Sequence, residues 1–135
     1  MLTLFPPTET PTRGRRIGLL VLLVLLSLLF VLVSVTKIYP AELMATNMGE
    51  LHYGRPSVVI IGLLEFAAVV GMWMPRFRTL ALSVLLLIMA GSAGSHWGFG
   101  HPVAEVLPSF IVALLVFAAL WLDRGRELWA FVLRR

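Results

Sequence analysis

The chain contains no cysteine. That excludes disulfide exchange, thiolate catalysis and any cysteine-held metal or iron–sulfur centre. Charge is also scarce. Only 13% of the residues are Asp, Glu, Lys or Arg, where a water-soluble domain carries about a quarter. There are three histidines and seven acidic residues in 135 positions, so acid–base or metal chemistry has few residues to draw on. Little of the chain is left over for a separate soluble domain once its apolar stretches are counted, and a water-soluble globular class is a poor description of it.

Apolar residues make up 59% of the chain, and the mean hydropathy is +0.95. They gather in four stretches, at about residues 17–36, 58–74, 80–97 and 103–122. The first is twenty residues without a charge. At about 1.5 Å per residue it reaches roughly 30 Å, one hydrocarbon core. Its length, and the lack of a clean small-x-small site after it, weigh against a cleaved signal peptide. Pro56 stands before the second stretch and Pro75 after it, at positions where proline starts and stops helices. Gly98, Gly100 and Pro102 end the third. The expected class is an all-α membrane protein, a bundle of four transmembrane helices.

The net charge of +4 and a pI near 10.7 could suggest a nucleic-acid partner, but the positions of the charges argue against one. Arg13, Arg15 and Arg16 precede the first span, Arg76 and Arg78 lie between the second and third, and Arg124, Arg126, Arg134 and Arg135 follow the fourth. These are nine of the eleven basic residues, and only Lys37 and Arg55 fall on the other side. Such a bias orients membrane spans. It predicts an up-down-up-down antiparallel bundle with both termini in the cytoplasm, in a prokaryotic plasma membrane. Short joints make the second, third and fourth helices antiparallel neighbours. The partners expected are the lipid bilayer and either other membrane subunits or further copies of the chain, with no nucleic acid.

Residues 1–16, with Pro6, Pro7 and Pro11, read as an irregular cytoplasmic terminus. Residues 123–135 place Leu128, Trp129, Phe131, Val132 and Leu133 among arginines. They suit either a short interfacial helix or a fourth span that runs on past the membrane. The long connection over residues 37–57 hints at a short helix after Pro40, with Tyr39 and Tyr53 at the interface.

Glu65 is the outlier, an ionisable group roughly 14 Å inside the second span. An intramembrane carboxylate needs a partner and an inward orientation. Lys37 ends the first span on the same side and can snorkel outward or bend towards Glu65. Ser92 and His96 lie one turn apart on the third helix, and His101 and Glu105 enter the fourth. Lys37, Glu65, Ser92, His96 and Glu105 are therefore the candidate ligand pocket, opening outward. The competing reading is a buried polar network that fixes helix register. On either reading, the acidic and histidine residues near the spans are all expected on this side. His52 and His101 read as solvated loop residues. His96, His101 and Glu105 match no firm metal-ligand spacing, so no metal is expected. No catalytic residue is assigned. On the third helix Ala90, Gly91, Gly94 and Ser95 give small-xxx-small spacing, suited to close helix packing.

Several short motifs carry a family resemblance: Ser34-Val35-Thr36-Lys37, Gly62-Leu63-Leu64-Glu65, Met74-Pro75-Arg76, and Met89 to His96 followed by Gly100-His101-Pro102. Together they resemble the DoxX-like family of small four-helix membrane proteins, over about residues 17–122. That family has a lysine ending helix one, Gly-x-x-Glu in helix two, and a histidine ending helix three before a Gly-x-Pro turn. The chain departs from it at Ser34, where glycine is frequent, and at His101, where aspartate is frequent. The resemblance implies an accessory or quinone-linked role in a membrane complex, since relatives are associated with quinol oxidase, other membrane oxidoreductases or receptor assembly. It does not imply an enzyme. Quinone is the one cofactor it brings into view. No facing, mid-membrane histidine pair is present to ligate haem. The expected function is an accessory subunit or assembly partner, with a quinone- or lipophile-binding protein as the alternative.

Overall fold

The computed structural model describes residues 12–39 and 54–133, with side chains described through residue 124. It contains four helices, α1 (Arg13–Ile38), α2 (Arg55–Trp73), α3 (Arg78–Gly98) and α4 (Val103–Leu133), and no strand among the described residues. All four are long and apolar enough to cross a membrane. Three of the four expected stretches sit inside these helices, and the second overruns the end of α2 by one residue, Met74. The expectations for the proline-rich first eleven residues and for the connection after Tyr39, including its short helix, lie outside the described residues.

Backbone hydrogen bonding explains the helical state. No water in the hydrocarbon can satisfy an open N–H or C=O, so each apolar stretch closes its own ladder. Breakers set the ends. Arg55 and Pro56 open α2, where a missing N–H costs nothing. Met74 to Phe77 then turn the chain, with Arg78 N–H bonded back to Met74 O at 2.9 Å. The backbone of α4 is helical without a break from Val103 to Leu133. Pro108 lies within it rather than at its start, so the carbonyl one turn earlier loses its usual donor.

Each helix packs on two others: α1 on α2 and α4, and α3 on α2 and α4. The four form a ring in which, among the described residues, the backbones of α1 and α3 do not come close, nor do those of α2 and α4. The core lies at the centre. It comprises Leu23, Leu26 and Phe30 from α1, Ala68, Val69 and Met72 from α2, Ala81, Leu82, Leu85 and Met89 from α3, and Val116 and Ala119 from α4. Small residues permit the approaches. A Cβ on Gly71 would lie 3.1 Å from the Ala81 Cβ, and one on Gly18 would lie 3.5 Å from Leu122.

One end of the bundle is tied by arginine. The Arg15 side chain donates from Nε to Leu122 O, and from Nη2 to Asp123 O at 3.1 Å. Arg78 donates to Met72 O at 2.8 Å, satisfying a carbonyl at the end of α2, and pairs with Asp123 at 3.3 Å. Thr79 also donates to Asp123, at 3.3 Å. Asp123 is thus an acidic residue at the arginine end. This corrects the expectation that the acidic residues near the spans all lie at the opposite end.

Candidate functional site

Away from the arginines, buried polar groups extend the core. On α1 the inward stripe Leu23, Leu26, Phe30 continues through Ser34 and Lys37, each step three or four residues on and so on one helical face. On α2 the stripe is Val58, Gly62, Glu65, Ala68 and Met72. The two stripes face each other. Lys37 Nζ lies 2.5 Å from Glu65 Oε1, with the side chains 6% and 0% exposed. Lys37 therefore turns inward rather than snorkelling.

Gly62 makes that meeting possible. A Cβ there would lie 2.9 Å from the Lys37 Cβ, 3.1 Å from Ile38 Cγ1 and 3.3 Å from the Ser34 carbonyl oxygen. The end of α1 thus rests on the bare backbone of α2, one turn before Glu65. The Ser34 hydroxyl donates to Phe30 O at 2.5 Å and satisfies itself within its own helix. Glu65 Oε2 differs. It is buried and has no hydrogen-bond partner among the described residues.

The α3–α4 interface gathers a second set. Ser92 and Ser109 share a hydrogen bond at 3.0 Å. Beyond them, His101 Nδ1 lies 2.6 Å from Glu105 Oε2 and 3.4 Å from His96 Nδ1. His96 Nδ1 is 4.0 Å from the same carboxylate oxygen. The rings of His96 and His101 meet edge to face at 5.1 Å between centroids. The side chains of His96 and His101 are 22% and 16% exposed, and that of Glu105 50%. His101, read from sequence as a solvated loop residue, is instead half-buried against two other candidate residues.

The five candidates for the pocket therefore fall into two groups. Lys37 joins Glu65 between α1 and α2, while Ser92, His96 and Glu105 stand between α3 and α4. The small residues of α3 lie on yet another face. Ala90, Gly91 and Gly94 are exposed and Ser95 is half-buried, and a Cβ on Gly91 or Gly94 would meet no described atom within 4 Å. Within the chain, no described helix closes on that stripe.

Sequence reasoning passed over Ser109, Asp123 and the role of Gly62 as a contact. The signal for Gly62 was present: it stands three residues before Glu65 on the same inward stripe. Asp123 could have been found as the first acid after the fourth span, next to Arg124.

Four apolar helices around a shared core, with a buried lysine–glutamate pair, define a small four-helix integral membrane protein. The model of the DoxX-like family matches residues 21–119, and the chain belongs to that family. No curated protein and no solved structure matches the chain.

Proposed function

We propose that the protein is a non-catalytic, accessory subunit or assembly partner of a larger membrane complex, such as a respiratory oxidoreductase. The observation that carries this reading is the closed state of its polar centre. Lys37 and Glu65 are spent on each other at 2.5 Å, wedged by the Gly62 contact, which suits a latch holding α1 to α2. What the molecule then offers to others is its apolar flank. Leu28, Leu32, Leu80 and Leu87 are among the exposed large side chains, available to lipid or to helices of a partner.

The bundle in this reading is up-down-up-down and antiparallel. Support comes from the contacts at each end: Lys37 with Glu65, Gly18 and Arg15 with Leu122, and Arg78 with Asp123. Both termini lie in the cytoplasm of a prokaryote, on the strength of the arginine bias. Arg15 and Arg78 then act twice, as topology signals and as helix-end clasps.

A second reading has one observation in its favour. Glu65 Oε2 is buried with no partner among the described residues, and a buried acceptor left unmatched costs about 1–3 kcal/mol. A quinol, the reduced form of a quinone, or another small lipophile with a hydroxyl could donate to it, making Glu65 the centre of a proton-coupled pocket. Purification of the native protein in mild detergent, followed by mass spectrometry of retained proteins and lipophiles, separates the two. A stoichiometric protein partner retained by both wild type and Glu65→Gln supports the accessory role. A quinone bound by wild type and lost from Glu65→Gln replaces it with the second reading. Turnover of a substrate by the isolated chain overturns the non-catalytic assignment.

A further inference from the structure

The turn between α3 and α4 is built by hydrogen bonds that bring two histidines together. Gly100 has φ +72, a left-handed conformation that glycine adopts without penalty. Its N–H bonds to Trp97 O at 3.1 Å, and the His101 N–H bonds to His96 O at 3.0 Å. This paired closure is the Schellman ending of a helix, in which the residue after the glycine packs against the last turn. The contact there is usually apolar. Here both positions are histidine. Pro102 then stands just before α4, and Glu105, in its first turn, reaches back to His101.

The resulting donors do not satisfy one another. A ring Nδ1 offers one in-plane proton or one lone pair. The Nδ1 of His101 uses its own on Glu105 at 2.6 Å, so it cannot also serve His96 Nδ1 at 3.4 Å. The carboxylate is 4.0 Å from His96 Nδ1, beyond hydrogen-bond reach. One cation that accepts a lone pair from each of the three atoms resolves the mismatch. Tetrahedral ligands at 2.0–2.1 Å from zinc stand about 3.3 Å apart, and the three separations of 2.6, 3.4 and 4.0 Å bracket that value.

We propose that His96, His101 and Glu105 form a site for a divalent transition metal of the zinc class, held by His96 Nδ1, His101 Nδ1 and Glu105 Oε2. Two imidazoles and a carboxylate suit zinc, nickel or copper and disfavour magnesium or calcium, which take oxygen ligands. The metal displaces the proton between His101 and Glu105. Three protein ligands leave a coordination position for water or an incoming group. The site lies between α3 and α4, whereas the Lys37–Glu65 pair lies between α1 and α2, so it stands apart from the functional reading above. Sequence spacing gave no warning of it, because the left-handed Gly100 turn folds His101 back over His96.

The test uses the full chain, purified in an uncharged detergent with a tag that contains no histidine. Co2+ is titrated while its ligand-field absorption is recorded, and Zn2+ is then added in competition. A saturable one-to-one spectrum that Zn2+ abolishes is the expected result. His96→Ala and His101→Ala each weaken binding by more than a hundredfold, beyond the roughly 10–100-fold that changes outside the ligand shell produce. Glu105→Gln, at a half-exposed side chain, weakens it by at least about tenfold by the same yardstick. His52→Ala binds as wild type does. Circular dichroism of each variant checks that the helices remain. No saturable spectrum in the wild type overturns the proposal. Wild-type binding by folded His101→Ala or Glu105→Gln does so as well.

Discussion

Two helix pairs carry acidic and basic groups between them, and they treat those groups in opposite ways. Between α1 and α2, Lys37 and Glu65 are almost fully enclosed, paired at 2.5 Å, and pressed together by a glycine contact. Between α3 and α4, His96, His101 and Glu105 converge on a turn, and the carboxylate is half exposed. Burial decides what each cluster is able to do. In the first, a lost partner strands a charge in a dry interface, so the pair acts on stability. In the second, water can replace a lost partner, so the cluster is free to exchange ligands at little cost to the fold.

The largest effect belongs to the enclosed pair. Lys37→Met or Glu65→Leu alone strands one buried charge and lowers stability by about 3–5 kcal/mol. The double variant, which leaves no charge, recovers most of the loss. Unfolding in mixed micelles of increasing denaturing detergent measures this, and strictly additive losses would break the comparison. Next comes Gly62→Ala. Its new methyl group would sit 2.9 Å from the Lys37 Cβ and 3.3 Å from a backbone carbonyl, an overpacking of about 1–3 kcal/mol. The same assay reads it, and a neutral result would mean that α1 can slide on α2. Glu105→Gln, in metal-free protein, costs only about 0–1 kcal/mol, the range of an exposed ion pair. A larger loss would show that the turn cluster is as structural as the pair. Gly91→Ala is the smallest. With open space around that position, it gains helix propensity and changes stability by less than about 1 kcal/mol in the favourable direction. A clear loss of stability instead would reveal a neighbour on that face.

The spans were readable because hydrocarbon permits few backbone solutions, and a run such as residues 17–36 has one of them. The inward faces were much less readable. In water, the apolar side of a helix marks the core. In lipid, both sides are apolar, so Leu28 at 67% exposed and Leu26 at 1% look alike in the sequence. Only polar residues mark the inside, which is why Lys37 and Glu65 were found and why Gly91 and Gly94 were assigned to packing that the described chain does not make. The grouping of the candidates depended on the ring order of the helices, which spacing along the chain does not encode. His101 was misread because a single left-handed residue reverses the path of the chain just before it.

The ring has a consequence for how the protein is made. Three of its four seams join helices that follow one another in the chain, and each can zip as soon as its second helix enters the bilayer. The seam between α1 and α4 is different: it has the least contact and joins segments more than a hundred residues apart at Arg15 and Leu122. It cannot form until α4 has been made and has entered the bilayer. Until then α1 and α2 stand as an open-sided hairpin, their edge bare to the membrane. Arg15 therefore acts as a clasp fastened last, and the interval before it closes is when a newly made chain is most open to a chaperone, a protease or a neighbouring subunit.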